Sequence, residues 1–323
     1  MGNQTLRIIF FGSTADSVLV LEKLYHVSGV MCQAVVTQPP RPVGRKQQLT
    51  PTPVELWAKE HSITILSFPS NLKKPWLYEN ESQVIDALEP LKADLVISAC
   101  YGQKIPWESI AAARFGGLNV HPSLLPRWRG ADPVPWAILN GDRQTGVTVV
   151  TLSEKFDDGA IIAQKKVPIT DTDTSDALRT KLFTIGSELL IQSLDSVIAR
   201  SVATKQSHKR LPRPPSTAGL ARTPSSYARR LTRDDGFDPW ESFLKAFKDE
   251  EEARRIERKF RAFSPWPGVW TTLKVKSEQK RLKILALHLS PITYHLSLDA
   301  VQLEGKKPVS WKQFLSSYPL FPT

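Results

Sequence analysis

The chain's 323 residues exceed one small domain, so two are expected, and an apolar content of 41% excludes a disordered chain. Two cysteines, Cys32 and Cys100, exclude a disulfide scaffold; each sits in an apolar run and reads as a small buried hydrophobe in a reducing compartment. The formal net charge of +11 is unevenly held: residues 1–199 carry 19 Lys/Arg against 20 Asp/Glu, and residues 200–323 carry 24 against 12. That split points to chemistry in front and a polyanion held behind, unless the basic tail only aids solubility.

No apolar run reaches the roughly 20 residues of a membrane helix. The chain enters an apolar strand at Leu6, which leaves no room for a leader and predicts a soluble cytoplasmic protein. The front half alternates strand and helix signals, the pattern of an open, mostly parallel α/β sheet of Rossmann-like type. Strands are predicted at Leu6–Phe11, Cys32–Thr37, Ile63–Ser67, Asp94–Cys100, Gly117–Val120 and Thr145–Leu152. Helices are predicted at Ser17–Tyr25, Val54–His61, Gln83–Leu88 and, closing the domain, Ser175–Ile198. Residues 200–233 hold nine Lys/Arg, four Pro and no acid, a self-repelling linker. A helix is predicted at Glu250–Phe263, acidic at its start and basic at its end as the helix dipole favours. Alternating stretches at Val269–Val275, Leu282–Leu289 and His295–Leu303 read as a small antiparallel sheet or barrel. The predicted domains are therefore 1–200, a basic Pro-containing linker over 201–226, and 227–323.

The turn after the first strand holds Gly12 alone, too few glycines for a dinucleotide site. The densest stretch is GLNVHPSLLPRWRG over Gly117–Gly130. A strand sets Asn119 and His121 two residues apart on one face. Pro122 and Pro126 bracket a rigid loop. An amide and an imidazole at the C-terminal end of a parallel strand suit acyl-type transfer, one donating to an oxyanion and the other moving a proton. Taken alone, Asn-x-His is a weak signal, since a histidine at a strand end is more often structural. Phe156-Asp157-Asp158-Gly159 follows the next strand, where a carboxylate can orient His121; an ordinary polar turn is the alternative.

Asn119-Val120-His121-Pro122-Ser123-Leu124-Leu125-Pro126 resembles the signature of the folate-dependent formyltransferase family. Further matches are the basic loop Thr37–Arg45, Tyr101-Gly102 with Ile105-Pro106, Arg127–Ala131, Tyr227–Thr232, Arg261–Gly268 and Glu304–Pro308. Together they resemble the branch acting on methionyl-tRNA, over nearly the full length. The resemblance implies formyl transfer from 10-formyltetrahydrofolate, as co-substrate and without a metal, to the α-amine of methionyl initiator tRNA. It implies that Asn119, His121 and Asp157 are catalytic. Ser123, Leu124, Leu125, Pro126, Tyr101 and Gly102 would border the folate, and Arg41, Arg45 and Lys46 would meet the tRNA. Residues 1–200 would be the catalytic domain and 227–323 a tRNA-binding domain, partly an OB-like barrel, in a monomer. The stretch Leu289–His295 looks short against the family, so a reduced barrel is expected. Formyltransferases of sugar amines or glycinamide ribotide, and a formate-releasing hydrolase, would share the three catalytic residues. A non-catalytic RNA-binding protein on the same scaffold is the reading from another class.

Overall fold

In this computed structural model the described residues are 5–44, 46–206, 226–275 and 277–318, with 196–206 described by backbone alone. The apolar run LRIIFF forms β1 (Leu6–Phe11), and Gly12 turns the chain into α1 (Ala15–Tyr25). Thr14 caps that helix in a reciprocal box with Ser17, whose hydroxyl also donates to the Ala99 carbonyl at 2.7 Å. A Cβ on Gly12 would stand 2.6 Å from the Phe10 ring and from Ser17, so only glycine allows this close turn. β2 (Val30–Thr37) is followed by a hairpin of β3 (Arg41–Val43) and β4 (Gln48–Thr50). α2 (Pro53–Glu60), capped by Thr52 with proline first in the helix, leads to β5 (Thr64–Ser67) and α3 (Glu81–Leu88). Then come β6 (Leu95–Ser98), α4 (Trp107–Ala112), β7 (Gly117–His121), the short β8 (Arg129–Gly130) and α5 (Pro133–Leu139). β9 (Gln144–Thr151), β10 (Ile161–Pro168) and α6 (Ser175–Gln206) complete the front.

The sheet order is β10-β9-β7-β6-β1-β2-β5. The strands from β7 to β5 are parallel, and β9 and β10 are added antiparallel. Side-chain alternation sorts its two faces. Ile8, Phe10, Val35, Ile97, Leu118, Val120, Val147 and Val149 pack with α1, α2 and α6. Ile9, Phe11, Val36 and Val96 pack with α3 and α4 on the other side, together with Tyr101 and Ile105. This is the Rossmann-like arrangement expected. Missing from the sequence reading are the β3–β4 hairpin and β10, whose Lys165 and Lys166 disguise an exposed edge strand.

Downstream lie β11 (Tyr227–Ala228), a 3₁₀ turn over Arg233–Gly236, α7 (Trp240–Ala246) and α8 (Glu250–Ala262). β12 (Val269–Val275), β13 (Glu278–Leu289), β14 (Leu296–Leu303) and β15 (Val309–Ser310) form a four-stranded antiparallel sheet, which fits the small barrel expected. α9 (Trp311–Ser317) follows. Phe243, Ile256, Val269, Leu282, Val301 and Phe314 centre this core.

The chain divides into two compact units that alternate along the sequence. One compact unit is Met1–Ala131, Gln144–Pro168 and Arg179–Ala228; the other is Asp132–Arg143, Ile169–Leu178 and Arg229–Thr323. Two front segments belong with the back because they serve α8. α5 packs along it, the Ser175 hydroxyl donates to the Ala262 carbonyl at 2.5 Å, and the Arg261 guanidinium donates to the Asp173 carbonyl at 3.0 Å. The predicted linker 201–226 starts inside α6, which continues to Gln206 because no Gly or Pro interrupts residues 187–206. Residues 207–225 lie outside the described residues. Cys32 and Cys100 are half-buried rather than buried, and burial pushes the Cys32 thiol up to about 12.

Candidate active site

Because Leu118 and Val120 point into the core under α1 and α6, Asn119 and His121 project from the opposite face of β7. His121 is the last residue of the strand and only 4% exposed. Its Nε2 donates to the Trp128 carbonyl at 3.0 Å, and its Nδ1 stands 3.4 Å from Asp157 Oδ1. Asn119 Nδ2 donates to that same oxygen at 3.4 Å, and the Gly130 amide donates to Asp157 Oδ2 at 3.0 Å. One carboxylate thus gathers the amide, the imidazole and a backbone N–H.

Asp157 reaches this position from the loop joining β9 and β10, which folds back over β7. Gly159 permits the fold-back: a Cβ there would lie 1.8 Å from the Thr151 carbonyl oxygen. Asp157 itself takes a left-handed backbone with φ 51°, which aspartate tolerates better than most residues. Asp158 pairs with Arg129 at 2.8 Å and ties the loop to the strand segment that carries Gly130.

The Ser123–Pro126 loop is held from below by two side chains that the sequence did not flag. Thr148 lies opposite His121 on β9, and Gln164 opposite Thr148 on β10, so the three share one face. The Thr148 hydroxyl donates to the Ser123 carbonyl at 2.6 Å and accepts from the Leu125 amide at 3.2 Å. Gln164 Nε2 donates to the Leu125 carbonyl at 2.8 Å and to Thr148 Oγ1 at 2.9 Å. Ser123 and Leu125 are buried, while Leu124 and Pro126 are half-buried. Thr148 does not stand out in a strand that also holds Gln144, Thr145 and Thr151, so the sequence offered no clear signal for it.

Tyr101 and Gly102 leave the end of β6, whose Ser98 sits opposite Asn119, so they emerge at the same sheet edge as His121. Tyr101 is buried, edge-on to Phe11, and its hydroxyl accepts from Tyr78 at 2.9 Å. Burial pushes both phenols well above their usual range. Gly102 turns the chain at φ 82° and is exposed. Arg41 and Lys46 are exposed in and beside the β3–β4 hairpin, which follows β2 at this same edge; the segment expected as a plain loop is a hairpin. Arg45 lies outside the described residues. Among the described residues no three His, Cys, Asp or Glu stand together as a metal needs, and no helix is long and apolar enough to cross a membrane.

An amide, an imidazole and a carboxylate at the open edge of a mostly parallel sheet are suited to acyl-type transfer. Residues 6–194 match the formyl transferase family model, and residues 247–297 match the formyl transferase C-terminal domain. The methionyl-tRNA formyltransferase of Listeria welshimeri is 36% identical over 302 residues, 93% of this chain and 82% of that protein. The methionyl-tRNA formyltransferase of Roseiflexus is 37% identical over 267 residues, 82% of this chain and 73% of that protein. The N-formyltransferase of Helicobacter canadensis, solved with folinic acid and dTDP-3-aminofucose, superposes with a TM-score of 0.54 at 18% identity, over 89% of this chain and 90% of that one. A sugar N-formyltransferase from Shewanella gives 0.53 at 20% identity, over 85% and 95%. These two likenesses are of fold. The chain belongs to the formyl transferase family and, within it, to the methionyl-tRNA formyltransferases.

Proposed function

We propose that this enzyme moves the formyl group of 10-formyltetrahydrofolate to the α-amine of methionyl initiator tRNA, giving N-formylmethionyl-tRNA for translation initiation. The observation that carries this reading is the shared carboxylate of Asp157, 3.4 Å from both Asn119 and His121. The free α-amine has a pKa of about 7.7–8.0, lowered further by the ester, so it is nucleophilic without a strong base. The amine attacks the formyl carbon, a C–N bond forms, and the formyl oxygen becomes an oxyanion. Asn119 Nδ2 and a His121 N–H are the donors for it, each worth about 3–4 kcal/mol in the transition state. As the bond to the folate nitrogen breaks, the new ammonium loses a proton and that nitrogen gains one. His121 backed by Asp157 carries this exchange, and the catalyst is restored. At rest each ring nitrogen of His121 faces an oxygen acceptor. The Asp157 contact is the looser, longer than the 2.7–2.9 Å of a charge-assisted bond, and is the one a bound substrate can tighten.

Tyr101, Gly102 and the Ser123–Pro126 loop border the folate in this reading; Arg41, Arg45 and Lys46 approach the acceptor end of the tRNA. Arginine suits that task, because its planar fork binds phosphate and stacks on bases. The catalytic domain, linker and tRNA-binding domain keep the roles expected, in a monomer acting in the cytoplasm. A small-molecule amine as acceptor leaves the excess of 12 positive charges after residue 199 without a purpose. The test is formylation by the purified protein. Methionyl initiator tRNA should be formylated and free methionine should not; activity on a small amine alone overturns the proposal.

A further inference from the structure

The C-terminal unit holds a cavity of about 190 Å³ that the reaction does not use. Its walls are Arg233, Trp266, Pro267, Trp270, Arg281 and Lys283: three cations, two indoles and a proline, with no acid. It lies on the outer face of the antiparallel sheet, since Val269, Leu273, Leu282 and Ile284 point the other way into the core. Trp270 and Lys283 are opposite one another in the β12–β13 register.

The cavity is built rather than incidental. The Trp270 indole N–H donates to the Arg233 carbonyl at 3.1 Å, and its ring is braced by Phe237 at 4.8 Å. The Arg281 guanidinium lies 4.5 Å over the same ring, extending a flat platform. Below, Gly236 packs so tightly that a Cβ would stand 2.0 Å from the Gly268 carbonyl oxygen. Trp266, set between Pro265 and Pro267, is 56% exposed. Arg233, Arg281 and Lys283 form no ion pair among the described residues. Arg281 Nε is buried without a partner. Glu304 stands near, with its carboxylate accepting from the Arg281 backbone amide at 3.1 Å.

We propose that this cavity takes one unpaired nucleotide of RNA, its base against Trp266 and its phosphate held by Arg281 and Lys283. Unneutralised cations call for a phosphate, and the exposed indole of Trp266 at the cavity wall calls for a planar ring. The volume is below the usual ligand-pocket range, with room for a single ring and not for a base pair. Only an unstacked base offers a free face, so the ligand is a loop or single-stranded nucleotide rather than a duplex. The inference rests on the reading that the acceptor is a tRNA, and it gives the basic half a shaped contact in addition to its charge.

The test uses the full chain in four forms: unaltered, Trp266→Ala, Trp266→Phe and Lys283→Ala. Binding of a fluorescein-labelled single-stranded RNA and of initiator tRNA is followed by anisotropy across a salt series. Trp266→Ala should weaken both about tenfold, the size of one stacked base, with an unchanged salt slope. Trp266→Phe should recover most of the loss, and Lys283→Ala should lower the slope by about one. For formylation, KM for the tRNA should rise in Trp266→Ala while kcat stays. Equal RNA affinity in the unaltered and Trp266→Ala proteins overturns the proposal. So does a Trp266→Phe protein as weak as Trp266→Ala, or inorganic polyphosphate that competes as well as RNA and equally in both. An unaltered protein that fails to formylate methionyl-tRNA removes the acceptor reading instead, while a Trp266-dependent RNA affinity would still uphold the cavity.

Discussion

At the scale of single residues, Asp157 and Gly159 decide the site in different ways. Asp157→Asn keeps the shape of the side chain but removes the charge facing His121 and puts an amide before the Asn119 and Gly130 donors. We expect turnover to fall by about two to three orders of magnitude with tRNA affinity nearly unchanged, measured as kcat and Kd separately. Near-normal turnover would remove Asp157 from the reaction. Gly159→Ala touches no reacting group, yet its methyl would meet the Thr151 carbonyl and lift the loop. A shift of about 1 Å at Asp157 costs on the order of a hundredfold in rate, so kcat should drop while folate binding persists. That Asn119 and His121 share a face was legible in the sequence, because the motif is local and strand alternation sorts its side chains, whereas Asp157 stands in a separate loop and joined them only through the family resemblance. Thr148 and Gln164 were not legible, because their role exists only in the cross-strand register, which a single strand does not reveal.

At the scale of elements, the β3–β4 hairpin and the Arg233–Gly236 turn make separate claims. The hairpin exposes Arg41, Lys46, Val43 and Leu49, a combination that solvent alone does not favour. Arg41→Ala with Lys46→Ala should cut formylation at subsaturating tRNA about tenfold and spare any background hydrolysis of 10-formyltetrahydrofolate. Equal loss of both would make the hairpin part of the folate site. In the turn, Asp235 is held at about 2 by hydrogen bonding to Arg229, aided by the Thr232 amide and hydroxyl and opposed by burial. A carboxylate lowered by folding adds stability above its unfolded pKa, and that stability is lost as pH falls through the folded value. Asp235→Asn should therefore lower stability at neutral pH by about 1–2 kcal/mol, discounted for the half-exposed Arg229. Its deficit in thermal melting should shrink between about pH 4 and pH 2; a constant deficit would mean the loss is steric. Strand and helix positions in the front half were legible from periodicity, whereas the hairpin and β10 were hidden by proline and charge at exposed edges.

At the scale of the whole molecule, the charge split anticipated two units but not how the chain divides between them. Composition varies smoothly along a sequence, while compact units are set by which apolar surfaces find each other, so Asp132–Arg143 and Ile169–Leu178 could not be assigned from position. Ending the chain after Ala203 removes α8, the helix along which α5 packs. The shortened protein should aggregate or melt well below the full chain, and a soluble fragment with unchanged melting would contradict this. The same interleaving bears on synthesis. α5 leaves the ribosome more than a hundred residues before α8. At about 5–20 residues per second its apolar face waits on the order of ten seconds for its partner. Slowing elongation between these segments would lengthen that exposure and lower the yield of folded enzyme, although no residue had been altered.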